Sequence, residues 1–123
     1  MIAGPTDLTI IAQSNIAKAP WVAADALSQL EHGADSKSFI ITDSNNFAQD
    51  ILKNIETLQK KLSRQNIISS SLRNSAIFVV SDISQATKIS NFIAPEHLEI
   101  ISNDYKNIVK NITNAGAIFI GNY

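Results

Sequence analysis

A three-layer α/β fold, with a mostly parallel five-stranded sheet and helices on both faces, is what this sequence predicts. Three observations carry that reading. Five short β-rich runs alternate with four helical patterns, and such alternation implies crossover connections and a parallel sheet. Most of the runs are continuously apolar rather than alternating, as in strands covered on both faces. Finally, 123 residues, 45% of them hydrophobic and 17% charged, are enough for one domain whose core removes roughly two thirds of the unfolded surface from water.

The strand runs are Leu8 to Ala12, Ser38 to Thr42, Ala76 to Val80, Leu98 to Ile101 and Ala117 to Ile120. Between the first two, Pro20 opens a helix, Trp21 to Glu31 continue it, and Gly33 stands where a left-handed cap is wanted. The second helix lies in "NFAQDILKNIETLQKKLSR", where Phe47, Ile51, Ile55, Leu58 and Leu62 form one apolar stripe. Its Lys60, Lys61 and Arg64 are placed in the last turns, against the negative end of the helix dipole. The third starts at Asp82 with Gln85 in a capping-box position, turns Ile83, Ala86 and Ile89 inward, and is stopped by "APE". The fourth, Tyr105 to Ile112, is capped by Asn103 or Asp104 and ended by the "NAG" of Asn114 to Gly116.

Composition removes several function classes. A net charge of -1 offers no basic footprint for nucleic acid and no polybasic stretch for a membrane surface. Cysteine is absent, which excludes disulfides, thiolate zinc sites and a thiol nucleophile, and fits a cytoplasmic compartment. No apolar run approaches the ~18 residues of a membrane span, and "MIAGPTDLTIIAQSN" has no basic leader of a signal peptide. There is no internal repeat, and the one low-complexity patch, "NIISSSLRNS" from Asn66 to Ser75, reads as a loop or short helical turn. In a sheet of this kind ligands are expected at the loops that follow the carboxyl ends of the strands.

Three stretches hold residues that could do chemistry. Gln29 and His32, three apart, project from one face of the final turn of the first helix. An amide oxygen and an imidazole could reach one ligand there, or His32 could simply cap carbonyls; two ligands are half of a four-coordinate zinc site. In "APEHLEI" the pair Glu96 and His97 follows Pro95 at the mouth of a strand. An imidazole near neutrality suits a general base and a neighbouring carboxylate can share its proton, provided the chain turns at Pro95; a solvated strand entrance is the bland alternative. "AGPTD", Ala3 to Asp7, reads as a tight turn with Thr6 and Asp7 exposed at its end. Neither GxGxxG nor GxxxxGK[ST] occurs, so no nucleotide fingerprint marks a cofactor site.

Taken together, "IAGPTD", "VAADALSQLEHGADS", "APEHLEI" and "NAGAIFIG" occur in the order and approximate spacing of histidinol dehydrogenase, a family that the chain resembles from end to end. The resemblance implies an incomplete Rossmann-like domain over residues 1–123, the part of that enzyme that bears the active site. It implies zinc- and NAD-dependent oxidation of L-histidinol through the aldehyde to L-histidine, in histidine biosynthesis. By position, Gln29 and His32 would be zinc ligands that also touch substrate, Glu96 and His97 the acid–base pair with His97 also contacting substrate, and Thr6 a substrate-binding residue. The chain departs from the family's "AGPSE" in having Thr6 for serine and Asp7 for glutamate, which keeps the hydroxyl and the carboxylate.

Members of that family are much longer. The resemblance therefore implies a truncated homologue or excised domain, lacking an aspartate and a partner-subunit histidine of the zinc shell as well as the NAD-binding domain. Two readings follow: an enzyme segment without activity as an isolated chain, or a non-catalytic remnant that binds metal, a small molecule or a partner. Apolar surface that the longer chain would cover is expected to drive self-association, with a dimer favoured.

Overall fold

The structure, a computed structural model, describes residues 7–31, 33, 35–62 and 72–121. Thr6, His32, Arg64, the turn at Ala3 to Pro5, and residues 66–71 of the low-complexity patch lie outside the described residues. In chain order the elements are β1 (Asp7–Ala12), α1 (Ala19–Leu30), β2 (Lys37–Thr42), α2 (Asn45–Gln59), β3 (Ala76–Val79), a 3₁₀ turn (Ile83–Gln85) running into α3 (Ala86–Ile93), β4 (His97–Ile101), α4 (Tyr105–Asn111) and β5 (Ala117–Ile120). The strands form one sheet in the order β3-β2-β1-β4-β5, every neighbouring pair parallel. All five predicted strands are present, to within a residue at either end.

Strand parity divides the core in two. Ile10 and Ala12 of β1, Ile40 of β2 and Ile101 of β4 pack on one face with Val22, Ala26, Leu27 and Leu30 of α1 and Ile51 and Ile55 of α2. On the other face Ile11, Ile41, Leu98 and Ile100 meet Ala86 of α3 and Ile108 of α4. Buried on both sides, β1 is apolar at consecutive positions because each successive side chain meets a different helical layer. Among the described residues no helix is long and apolar enough to cross a membrane.

The helix ends differ from the sequence expectations in ways that local hydrogen bonds explain. Gly33 takes no left-handed cap: no described glycine has positive φ, α1 ends on Glu31 in right-handed geometry, and the Gly33 carbonyl accepts the Ser36 N–H at 3.1 Å in a turn. Among the described residues the one positive φ belongs to Ala94 (φ 53). α2 is capped by Ser44, whose Oγ accepts the Phe47 N–H at 3.2 Å, and it closes at Gln59, which leaves Lys60 as the C-cap and Lys61 beyond it. At Asp82 the capping box is displaced. The carboxylate accepts the Ser84 N–H at 3.0 Å, and Gln85 reaches back to the Ser81 N–H (3.1 Å) and hydroxyl (2.9 Å), tightening the first turn to 3₁₀. α4 has Asp104 at its N-cap, but without a side-chain cap bond; the Asp104 N–H donates instead to Ser102 Oγ at 3.0 Å.

Candidate active site

Gln29, Glu96 and His97 lie at the amino ends of the strands, not at the carboxyl ends where the fold class predicts ligands. His97 is the first residue of β4, and Thr6 in the sequence directly precedes β1. α1 leads from the carboxyl end of β1 back to the start of β2, so its last turn, with Gln29, returns to the amino end. Its docking there is fixed by Ser38, the second residue of β2, whose buried Oγ donates to the Ala26 carbonyl at 2.9 Å. Gln29 is one turn further along and half-buried.

The carboxyl ends of the two strands at the switch in strand order, β1 and β4, are closed instead. Gln13 Oε1 accepts the Ser102 hydroxyl at 2.7 Å and the Asn103 N–H at 3.1 Å, and the Gln13 N–H donates to the Ile101 carbonyl at 2.9 Å. Beside them the Ser14 N–H donates to Asp43 Oδ1 at 2.8 Å. The crevice that such sheets commonly open to a ligand is filled by its own polar groups.

At the amino end the chain makes a sharp corner from α3 into β4. Ala94 adopts the left-handed conformation (φ 53, ψ 59) that ends α3, its N–H on the Ser90 carbonyl. Pro95 is buried and fixes the next φ, and Glu96 forms a bend before His97 joins the ladder opposite Leu8. The turn that lets adjacent residues act together is therefore present, built from Ala94 as well as Pro95.

Neighbours on both sides hold the Glu96 backbone. From β1, Asp7 Oδ1 accepts the Glu96 N–H at 2.6 Å. From β5, the Ala117 N–H donates to the Glu96 carbonyl at 2.9 Å and the Gly116 N–H to the Pro95 carbonyl at 3.0 Å. A Cβ on Gly116 would lie 2.5 Å from that Glu96 oxygen, so glycine is required by close approach. Asn91 of α3 secures the segment leading to it, accepting the Thr113 N–H at 2.9 Å and donating to the Asn111 carbonyl at 3.0 Å.

The side chains are much less restrained. Glu96 is exposed and His97 half-buried. Strand parity with Ile101 puts the imidazole on the α1 face of the sheet, the face to which Gln29 belongs. There it stacks on Phe119 of β5, ring centroids 6.2 Å apart and planes at 26°. Neither the Glu96 carboxylate nor the His97 ring has a hydrogen-bond partner among the described residues, and the two are not bonded to each other. On the opposite face Asp7 also borders a cleft of about 630 Å³, floored by Phe39 and Phe78 and flanked by Lys37, Lys88 and the exposed Phe92.

As for a metal, no three His, Asp or Glu residues cluster among the described residues. Gln29 and, by sequence, His32 offer an amide oxygen and an imidazole. That is half of a four-coordinate zinc shell, and so does not fit a closed site on its own. The sequence reading takes Asp7 as an exposed turn residue, where it is half-buried, and Gly116 as part of a helix stop, and it gives neither of them, nor Phe119, a contact with Glu96 or His97. Only strand register could have found them, since they lie in sequence 89, 20 and 22 positions from the residues they touch.

Comparison with known proteins is specific. The family model described as histidinol dehydrogenase matches residues 1–123. The histidinol dehydrogenase of Aquifex aeolicus is 40% identical over 124 residues, covering 100% of this chain and 29% of that protein. That of Nitrobacter winogradskyi is 41% identical, covering 98% and 28%. The crystal structure of histidinol dehydrogenase from Elizabethkingia anophelis superimposes with a TM-score of 0.93 at 38% identity, over 100% of this chain and 28% of that one. The chain thus spans under a third of the length of these relatives.

Proposed function

The chain belongs to the histidinol dehydrogenase family, and from that premise we propose that it carries the acid–base part of a site that oxidises L-histidinol to L-histidine with NAD. The observation that supports this most is His97: an imidazole at the mouth of β4, half-buried, on the face of α1, on a corner whose backbone is fixed from both sides. In the first oxidation the imidazole takes the alcohol proton as the carbon-bound hydrogen leaves as hydride to NAD. In the second, it takes a proton from water as the oxygen adds to the aldehyde carbonyl, and the hydrate then gives up its carbon-bound hydrogen as hydride to a second NAD. Glu96, exposed beside it, passes these protons to solvent.

Gln29, His32 and Thr6 are proposed to bind substrate, with Gln29 and His32 contributing to zinc. Bound zinc would orient the substrate and polarise its donor groups. Because Gln29 and His32 are half of a four-coordinate shell, every step above is assigned to this chain's own side chains. Calorimetric titration with zinc, with and without histidinol, tests the ligand assignment: weak binding that His32→Ala abolishes supports it, and binding indifferent to His32→Ala refutes it.

The catalytic assignment is tested by grafting these 123 residues into a full-length relative in place of the matching segment. Glu96→Gln and His97→Asn should each lower NAD-dependent turnover by roughly 100-fold or more. Turnover unaffected by His97→Asn would instead favour a non-catalytic binding or interaction module. We further propose that the 123 residues form one α/β domain, act in the cytoplasm, and self-associate as a dimer. Support for the last is β5, an edge strand among the described residues, with Ile118, Phe119 and Ile120 exposed on its two faces. Sedimentation as a clean monomer at high concentration would refute it.

A further inference from the structure

We propose that Asp7 is a positioning residue for Glu96 and His97: its carboxylate, by accepting the Glu96 N–H, ties the bend at the mouth of β4 to β1 and so sets the direction of both side chains. The inference rests on the acid–base reading above. The ladder between β1 and β4 begins at Leu8 and His97. The Glu96 N–H lies one residue before that ladder, in the bend, and donates to Asp7 Oδ1 at 2.6 Å, a bond to β1 that the regular ladder would not supply. The bond is short and its acceptor ionised, and such hydrogen bonds are roughly twice as strong as neutral ones.

What makes it a positioning bond is the rest of the corner. The Glu96 carbonyl is held by Ala117, the Pro95 carbonyl by Gly116, and Ala94 and Pro95 fix the dihedral angles before it. With Asp7 removed, the peptide plane between Pro95 and Glu96 is held only through its carbonyl, by Gly116, so it can swing about that one contact and carry both side chains with it. Catalytic groups need their direction held to within roughly 10–20°. The other charged groups bordering Asp7 in its cleft are Lys37 and Lys88, and among the described residues neither pairs with it. The carboxylate is thus committed to the amide.

The test begins on the chain itself by NMR, with Asp7→Ala and Asp7→Asn. Exchange of the Glu96 amide proton should quicken by about tenfold in Asp7→Ala and less in Asp7→Asn, which keeps a neutral acceptor, with the His97 ring resonances shifting in the same order and the Ala117 amide unchanged. Should Asp7→Ala fail to fold, Asp7→Asn alone gives the reading. In the grafted enzyme Asp7→Ala should lower kcat by roughly tenfold or more with KM held within about threefold, and Asp7→Glu or Asp7→Asn should restore part of the loss. Glu96 exchange unchanged in both variants, or kcat unchanged in Asp7→Ala, overturns the proposal. Failure of the acid–base reading shows separately, as indifference of turnover to His97→Asn. If the graft has no turnover at all, the Glu96 and His97 resonances of the isolated chain decide.

Discussion

The two ends of this sheet use polar residues in opposite ways. At the carboxyl end, Gln13, Ser102, Asp43 and Asp82 satisfy one another and nearby amides, and the end is closed. At the amino end, hydrogen bonds go to the backbone of the corner, while the side chains of Glu96 and His97 have no polar partner among the described residues. Closed side chains build stability, whereas a fixed backbone with available side chains builds a site, because a group already satisfied within the protein must break that bond before it can act on a ligand. The difference teaches that the useful end of a parallel sheet is the one whose polar groups the fold leaves over.

The largest expected effect is at the amino end, on its backbone. Gly116→Ala puts a Cβ 2.5 Å from the Glu96 carbonyl oxygen, and backbone on both sides of the contact cannot step aside as a flexible side chain would. We expect a loss of about 3 kcal/mol, at the upper end of overpacking costs, read from urea midpoints. A variant as stable as the parent would mean that the corner is loose and the contrast between the ends is false.

Next comes a paired measurement, one substitution at each end. Gln13→Ala strips the acceptor from the Ser102 hydroxyl, which is 6% exposed, and from the Asn103 N–H. Leaving a buried hydroxyl unpaired should cost about 2 kcal/mol. His97→Ala forfeits only a ring stack on Phe119, about 1 kcal/mol or less. If His97→Ala proves the more destabilising of the two, His97 is a structural residue and the comparison is broken.

The fold was legible in the sequence because its signals are local. Continuous apolar runs such as "LTIIA" and "FIIT" mark strands covered on both faces, and Pro20 marks a helix start. The cap at Ser44 is an equally local signal, and it starts α2 at Asn45, ahead of the apolar stripe that begins at Phe47. At the site, Glu96 and His97 drew attention through their chemistry and Gln29 through helical spacing. What holds them was illegible, since Asp7 and Gly116 act on Glu96 through strand pairing that joins distant segments, and nothing in a lone aspartate or in "NAG" announces its partner. The general rule for carboxyl ends does not hold for this sheet. It describes where loops are usually free, and here the loop residues Gln13 and Ser102 bind one another.

The smallest effect is expected from pH at the carboxyl end. Asp82 is exposed, and the Ser84 backbone N–H, with a further hydrogen bond from the Ser84 side chain, holds its carboxyl below the ordinary value of 3.8. A folded-state value below the unfolded one means that the cap contributes fully above the unfolded value and is lost as pH falls through the folded one. Asp82→Asn keeps an N-cap acceptor but cannot titrate. Comparing urea midpoints of the two proteins from about pH 5 down to about pH 2 isolates the carboxylate, and the parent's advantage should shrink only below the ordinary carboxylate value. Solvent screening at an exposed site keeps the change small. An advantage that is constant across the range, or that grows on acidification, would show that the carboxylate charge contributes nothing at this cap, and that the closed end is held by neutral hydrogen bonds alone.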